Sequence, residues 1–253
     1  MTTYLSAMSR PSRPRLSTPQ RREIILQSAH AVFTEKGFNG TTTKELSKAA
    51  GISEALLFRH YPTKAALYSA VQESCCERED HGSIERLLSL EPSTSSLVFL
   101  LYYFFCRMAL ARRAGKEGAG RSMPKLILQS LATDGGFARH CHERGAAKII
   151  AKMEACLKAS VAAGDVVEMP VKNHLRCWFS QHLAGMLAFN SLHDPPIVNY
   201  GVSRRDLAEQ AVWYALRGVG LKDEAIRRYY HPEALSSLAG GMTFAKETRP
   251  GLP

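Results

Sequence analysis

Residues 41–64 read TTTKELSKAAGISEALLFRHYPTK, and the side chains best suited to binding are concentrated there. Thr42, Thr43 and Ser53 carry small hydroxyls, and Lys44, Arg59, His60 and Lys64 add cationic or donor groups. Hydroxyls, cations and helix-terminal amides are the groups that hold phosphate oxygens. Glu54 can accept from a cytosine amine and Arg59 can fork onto a guanine, while Ala55 and Leu56 lie between them. This is the chemistry of recognition. Bond-making chemistry has no comparable footing, because the chain contains no Gly-rich phosphate loop, no G-x-S-x-G and no H-E-x-x-H. The run RHCHE, residues 139–143, puts His140, Cys141, His142 and Glu143 side by side. Neighbours on a helix point in different directions, so the run does not form a metal site, and no cofactor is implied.

Two short helices must position these side chains. Leu46, Ala49 and Ala50 recur at helical spacing before Gly51, and Leu56 and Leu57 after it. Gly51 stands where one helix ends and the chain turns sharply, a place for a residue that tolerates positive φ. Thr42 with Glu45 has the spacing of a capping box, and Ser53 can cap the helix that follows. Upstream, Thr18-Pro19 reads as the start of a longer helix with Ile25, Ala29, Val32 and Phe33 facing inward and Gly37 ending it. Downstream, Pro62-Thr63 breaks the chain, with Thr63 capping a helix that runs from about Lys64 to Asp80.

The 253 residues carry a formal charge of +10, which favours an anionic partner: nucleic acid first, a membrane surface second. Between residues 10 and 72, ten Lys and Arg side chains face four Glu, a surplus of six out of that total. The positive charge therefore sits where the binding residues are. Residues 1–17, including RPSRPR, read as a flexible basic arm able to enter a minor groove. The six cysteines show no C-x-x-C pair and no apolar leader precedes them, which predicts reduced thiols in a cytoplasmic protein. SLVFLLYYFFCRMALA, residues 96–111, is shorter than the ~20 residues of a membrane span and reads as a buried helix.

The remaining chain is helical in longer pieces, at about 83–90, 95–113, 123–133, 136–163, 171–192 and 203–217, separated by Gly- and Pro-bearing punctuation. No alternating strand pattern and no internal repeat occurs, so the class is all-α. Residues 221–253 read as a tail over the surface.

Gly37 to Tyr68, GFNGTTTKELSKAAGISEALLFRHYPTKAALY, resembles the DNA-binding motif of the tetracycline-repressor-like (TetR) family. The matching residues are the Thr pair, Leu46, the Ala-Ala-Gly turn, Ile52-Ser53, Leu57, His60-Tyr61 and Lys64. Phe58 stands where the family most often has tyrosine, Tyr61 where phenylalanine is usual, and Ala55 where glycine is common. The resemblance implies a helix-turn-helix domain over residues 18–80, whose second short helix enters the major groove. Thr42, Thr43, Ser53, His60 and Lys64 would then meet the backbone while Glu54, Ala55, Leu56 and Arg59 face base edges; Lys44, Phe58 and Tyr61 complete the set.

The resemblance further implies that residues 81–220 form an effector-binding, dimerising body. Phe99, Tyr102, Tyr103, Phe105 and Met108 crowd one helix of it, and Trp178, Phe179, His182, Met186 and Phe189 another. Together they could line an apolar cavity with Tyr103, His182 and Asn190 as polar handles. Ala208, Ala211, Val212, Ala215 and Val219 form a stripe of small residues suited to close approach by a second copy. The implied protein is a homodimeric regulator on a pseudo-palindromic double-stranded DNA site, a repressor released by a small apolar or amphipathic ligand. Two other readings stay open: a helical adaptor that binds protein through the same motif, and a regulator sensing thiol oxidation at vicinal Cys75-Cys76.

Overall fold

The computed structural model describes residues 17–78, 81–109, 119–133, 135–193 and 195–239; the side chains of 75–78, 81–83, 108–109 and 119–122 also lie outside the description. The expected basic arm thus falls outside the described residues apart from Ser17.

The first helix, α1 (Thr18–Lys36), starts one residue earlier than its Thr-Pro pair suggests. Ser17 Oγ accepts from the Gln20 amide at 3.4 Å, and the Gln20 side chain accepts from the Ser17 amide at 3.0 Å. Glutamine three residues after serine closes a reciprocal box that Thr18, followed by Arg21, cannot make. Ile25, Ala29 and Phe33 are buried as their spacing predicts, and Val32 is half-buried. Three further helices follow: α2 (Thr43–Ala49), α3 (Glu54–His60) and α4 (Lys64–Arg78). Tyr68 of α4 packs on Phe33 and Phe38 with ring centroids 4.9 and 5.0 Å away, tying α4 to α1 and the turn behind it.

This first compact unit ends at Val71 and the second begins at Gln72, so the boundary expected after residue 80 falls inside α4 instead. Leu67 and Val71 are the last buried anchors that α4 gives the first unit. A helix can pass from one core to another without a break, which punctuation in the sequence cannot mark.

The second unit contains α5 (His81–Ser89), α6 (Thr94–Ala109), α7 (Ala119–Leu131) and α8 (Gly136–Cys141). A π-helical turn, His142–Ala146, joins α8 to α9 (Ala147–Ala162), and α10 (Asn173–Asn190) and α11 (Arg204–Gly218) follow. The apolar run at 96–111 is the central post, α6, packed against α9, α10 and α11 with Leu97, Val98, Leu101 and Phe105 fully buried. None of the helices among the described residues is long and apolar enough to cross a membrane.

Residues 221–239 are not a loose tail. They form α12 (Asp223–Tyr229) and α13 (Pro232–Leu238), both packed on α6 through buried Ala225, Ile226 and Leu235. Three apolar anchors among charges are too few to give a helical period, which is why composition misleads here. Arg176 fastens the same end of the unit. It is buried, and its guanidinium donates to the carbonyls of Val171, Met169 and Val219 at 2.8, 3.1 and 3.3 Å. Val219 caps α11, so the cation meets the negative end of a helix dipole.

Candidate nucleic-acid interface

Local rules place α2 and α3. Thr42 caps α2 in a full capping box with Glu45, Gly51 turns the chain at φ +64°, and Ser53 caps α3 by accepting from the Leu56 amide at 3.2 Å. Leu46 and Leu57 are buried and hold the two helices from beneath. The outer face of α3 is thereby left to Ala55, Phe58 and Arg59, all exposed, with Glu54, Leu56 and His60 half-buried beside them. Lys44 and Ser53 are exposed as well.

Hydrogen positions divide the expected phosphate donors. The Thr42 hydroxyl donates to Glu45 at 2.9 Å, and the Thr43 hydroxyl donates to Glu54 at 2.8 Å. Each threonine has a single O–H, so neither keeps one for an outside acceptor in this arrangement. Ser53 uses its oxygen only as an acceptor and retains its donor.

Lys64 and Tyr61 are placed by contacts far along the chain. Lys64 Nζ donates to the carbonyls of Phe38 and Thr41 at 2.9 and 3.0 Å and lies 4.3 Å from the centre of the Phe38 ring. Of its three N–H groups, one remains. Tyr61 is buried, its ring covered by the Arg22 guanidinium at 5.1 Å. Its hydroxyl is enclosed, with no hydrogen-bond partner among the described residues. Tyr61 packs; it does not present its hydroxyl to a phosphate.

Glu45 is the most strongly perturbed acid of this unit. The Lys36 ammonium at 2.6 Å, with the Thr42 amide and hydroxyl, holds its carboxyl at about 2 rather than the ordinary 4.5. A carboxyl depressed on folding adds stability above its unfolded value, and that contribution is lost as pH falls through the folded one. The first unit should therefore weaken between pH 4.5 and about 2. The stability difference between wild type and Glu45→Gln should shrink across that window. Paired acid titrations followed by circular dichroism check this; a constant difference from neutrality to pH 2 would remove the ion pair from the account.

Two sets expected in the second unit come out differently. The small-residue stripe of α11 does not face outward. Ala208, Val212, Ala215 and Val219 are between 0 and 2% exposed, and Ala211 is half-buried, because α11 packs into the chain's own α6. The large apolar side chains that α11 exposes are Trp213 and Tyr214, at 48 and 67%. On α10, Leu175, Phe179, His182 and Met186 are exposed at spacings of four, three and four residues, one stripe of a helix.

The expected pocket set divides in the same way. Tyr102 and Phe105 are core residues, Phe179, His182 and Met186 face solvent, and the side chain of Met108 lies outside the described residues. Core and solvent-facing side chains cannot together line one enclosed site. Phe99, Tyr103, Trp178 and Phe189 remain, all half-buried. The Tyr103 hydroxyl accepts from Arg107 at 3.3 Å, and Trp178 lies between His142 and His182 with ring centroids 5.4 and 5.8 Å away. Asn190 is committed to the Met186 carbonyl and the Tyr200 hydroxyl.

The thiols follow burial. Cys106, Cys156 and Cys177 are buried, and desolvation pushes Cys106 up to about 11 and Cys177 up to about 12, so both stay protonated and unreactive. The side chains of Cys75 and Cys76 lie outside the described residues.

A capped two-helix unit with a glycine turn, its second helix held from below and bare above, is a helix-turn-helix domain. Residues 25–71 match the family described as bacterial regulatory proteins, tetR family. The nucleoid occlusion factor SlmA of Aliivibrio fischeri is 36% identical over 84 residues, 33% of this chain and 42% of that one. IcaR of Staphylococcus epidermidis, a negative transcriptional regulator of a biofilm operon, is 37% identical over 54 residues, 21% of this chain and 29% of the relative. The chain thus spans less than half the length of these curated relatives. Among solved structures, AibR in complex with isovaleryl coenzyme A and operator DNA superposes with a TM-score of 0.58 over 77% of this chain and 97% of that one. At 14% identity that likeness is one of fold.

Proposed function

We propose that the protein is a homodimeric transcriptional repressor that leaves its DNA operator when the second unit binds a small apolar or amphipathic ligand. The observation that carries the reading is the outer face of α3. Arg59 stands there as an exposed fork for a guanine, and Ala55 and Phe58 as exposed apolar groups for thymine methyls, on a helix fixed by Ser53 and buried Leu57. Exposed Lys44 and Ser53 suit the flanking phosphates. A protein-binding adaptor would have no use for this cationic rim. An electrophoretic shift with the DNA upstream of the protein's own gene separates the two readings: the regulator retards a discrete fragment at physiological salt, the adaptor none.

The dimer surface we assign to the exposed strips of α10 and α11, namely Leu175, Phe179 and Met186 with Trp213 and Tyr214, in place of the small-residue stripe. A two-fold pair would set two recognition helices about one DNA turn apart, ~34–36 Å, over a pseudo-palindrome.

The ligand would act by population shift, favouring a conformer whose recognition helices no longer match the half-site spacing. Phe99, Tyr103, Trp178 and Phe189 are the half-buried side chains from which an apolar wall would be built. Acyl-coenzyme A thioesters belong in the panel, since AibR was crystallised with one and they are amphipathic. A true effector at a hundred times its Kd should raise folding stability by about 2.7 kcal/mol and weaken operator binding in the same titration. Thermal shift and operator affinity, measured together, check it. A panel of fatty acids and acyl thioesters that moves neither would remove the effector from the proposal.

A further inference from the structure

We propose that Thr43 acts as a positioning residue for Glu54, and that the pair reads a cytosine amino group in each half-site. This rests on the DNA-binding reading above and assigns one of its specificity determinants. The geometry is simple. Thr43 is the first residue of α2 and Glu54 the first of α3, eleven positions apart, and the Thr43 hydroxyl donates to Glu54 Oε2 at 2.8 Å. Both side chains are half-buried, and among the described residues the threonine is the one hydrogen-bond partner recorded for that carboxylate.

Donor and acceptor counts then restrict what the pair can meet. An ionised carboxylate only accepts, and a threonine hydroxyl that has given away its hydrogen has only lone pairs left. Phosphate oxygens are themselves acceptors and carry negative charge, so the pair repels the backbone and must look into the groove. In the major groove, amino groups are the hydrogen donors: N4 of cytosine and N6 of adenine. The adenine amine is flanked by acceptors on both sides, its own N7 and the O4 of the paired thymine. The cytosine amine has an acceptor, the O6 of guanine, on one side only, with the ring C5–H on the other. A site that presents acceptors alone fits the cytosine edge and is repelled by N7 at the adenine edge. By fixing one carboxylate oxygen, Thr43 limits the rotation of a side chain that would otherwise sample several rotamers at the DNA surface.

The test uses the full-length dimer and selection from a fully randomised duplex long enough to hold two half-sites a helical turn apart. Wild type, Thr43→Val, Thr43→Ser and Glu54→Gln are compared by recovered base preference and by the salt dependence of affinity. Wild type should select cytosine at one position per half-site. Glu54→Gln, which adds a donor beside the acceptor, should shift that position towards adenine, whose N6 and N7 a glutamine matches. Thr43→Val should weaken the cytosine preference at that position by about tenfold, within the range of a single base contact, and leave the salt slope unchanged. Thr43→Ser should restore the preference, because it restores the hydroxyl.

If Thr43→Val lowers affinity for every sequence alike and flattens the salt slope by about one unit per half-site, the hydroxyl meets a phosphate and the proposal is overturned. The DNA-binding reading would survive that result. If Glu54→Gln leaves every base preference as it was, the carboxylate reads nothing and the proposal also falls. If wild type neither selects a sequence nor binds duplex in a salt-dependent manner, both readings fail together.

Discussion

Phe179→Asp combined with Trp213→Asp should convert the protein to a monomer and abolish high-affinity operator binding. Phe179 is 58% exposed and Trp213 48%, far more than large apolar side chains in a core, so neither change should disturb the folding of the protomer. In the proposed two-fold pair each substitution would be met twice, and each would place a carboxylate where the proposed interface sets an aromatic ring against the second copy. Aromatic anchors at interface centres are worth about 2–4 kcal/mol each. The double variant should therefore lose at least ~4 kcal/mol of association free energy, about a thousandfold in Kd. Sedimentation velocity across a concentration series reads this directly. Operator affinity should fall in parallel, because a monomer holds one half-site. Ala215→Leu is the informative contrast. Ala215 is buried between α11 and α6, so the added bulk should cost about 1–3 kcal/mol of protomer stability by overpacking. A double aspartate variant that stays dimeric would move the interface elsewhere.

The contrast also marks how far sequence could reach. Ala208, Ala211, Ala215 and Val219 do form a stripe of small residues that lets a helix approach closely. Periodicity fixes the stripe but not what lies opposite it, and α6 of the same chain is already there. Exposed Phe179, Met186 and Trp213 are apolar like any core residue, so type alone sent them to a pocket or left them out. By comparison, the caps at Thr42 and Ser53 and the positive φ at Gly51 were legible because each is decided within four residues. Thr18 reads as the cap in place of Ser17 because proline favours the first helical position, whereas Pro19 occupies the second. Contacts such as Arg176 with Val219, or Thr94 with Asp165 at 2.6 Å, join positions 43 and 71 residues apart. Nothing local announces them. The pairing of Thr43 with Glu54 lies between these extremes: both residues belonged to the motif, but their hydrogen bond depends on the angle at which Gly51 turns the chain.

Lys64→Ala should destabilise the first unit by about 2–4 kcal/mol, although a lysine at this place in the motif reads from sequence as a point charge for a phosphate. The ammonium is held by the carbonyls of Phe38 and Thr41 and stands over the Phe38 ring, so it staples α4 to the turn between α1 and α2. Hydrogen bonds to a charged group contribute about 1.5–3 kcal/mol each, and the ring contact about 0.5–1. Partial exposure of Lys64 discounts the sum to the range given. Lys64→Met keeps the stem over the ring and should recover part of the loss; Lys44→Ala, at an exposed position, should stay within about 0.5 kcal/mol of wild type. Urea unfolding in the absence of DNA measures this arm. The third N–H sets the other. If it meets a phosphate, Lys64→Ala should also reduce the slope of log affinity against log salt by about 0.9 per half-site, close to two for the dimer. An unchanged unfolding midpoint would overturn the staple. A lowered midpoint with an unchanged slope would make Lys64 a structural cation, one that fixes where α3 stands and leaves the phosphates to Lys44 and Ser53.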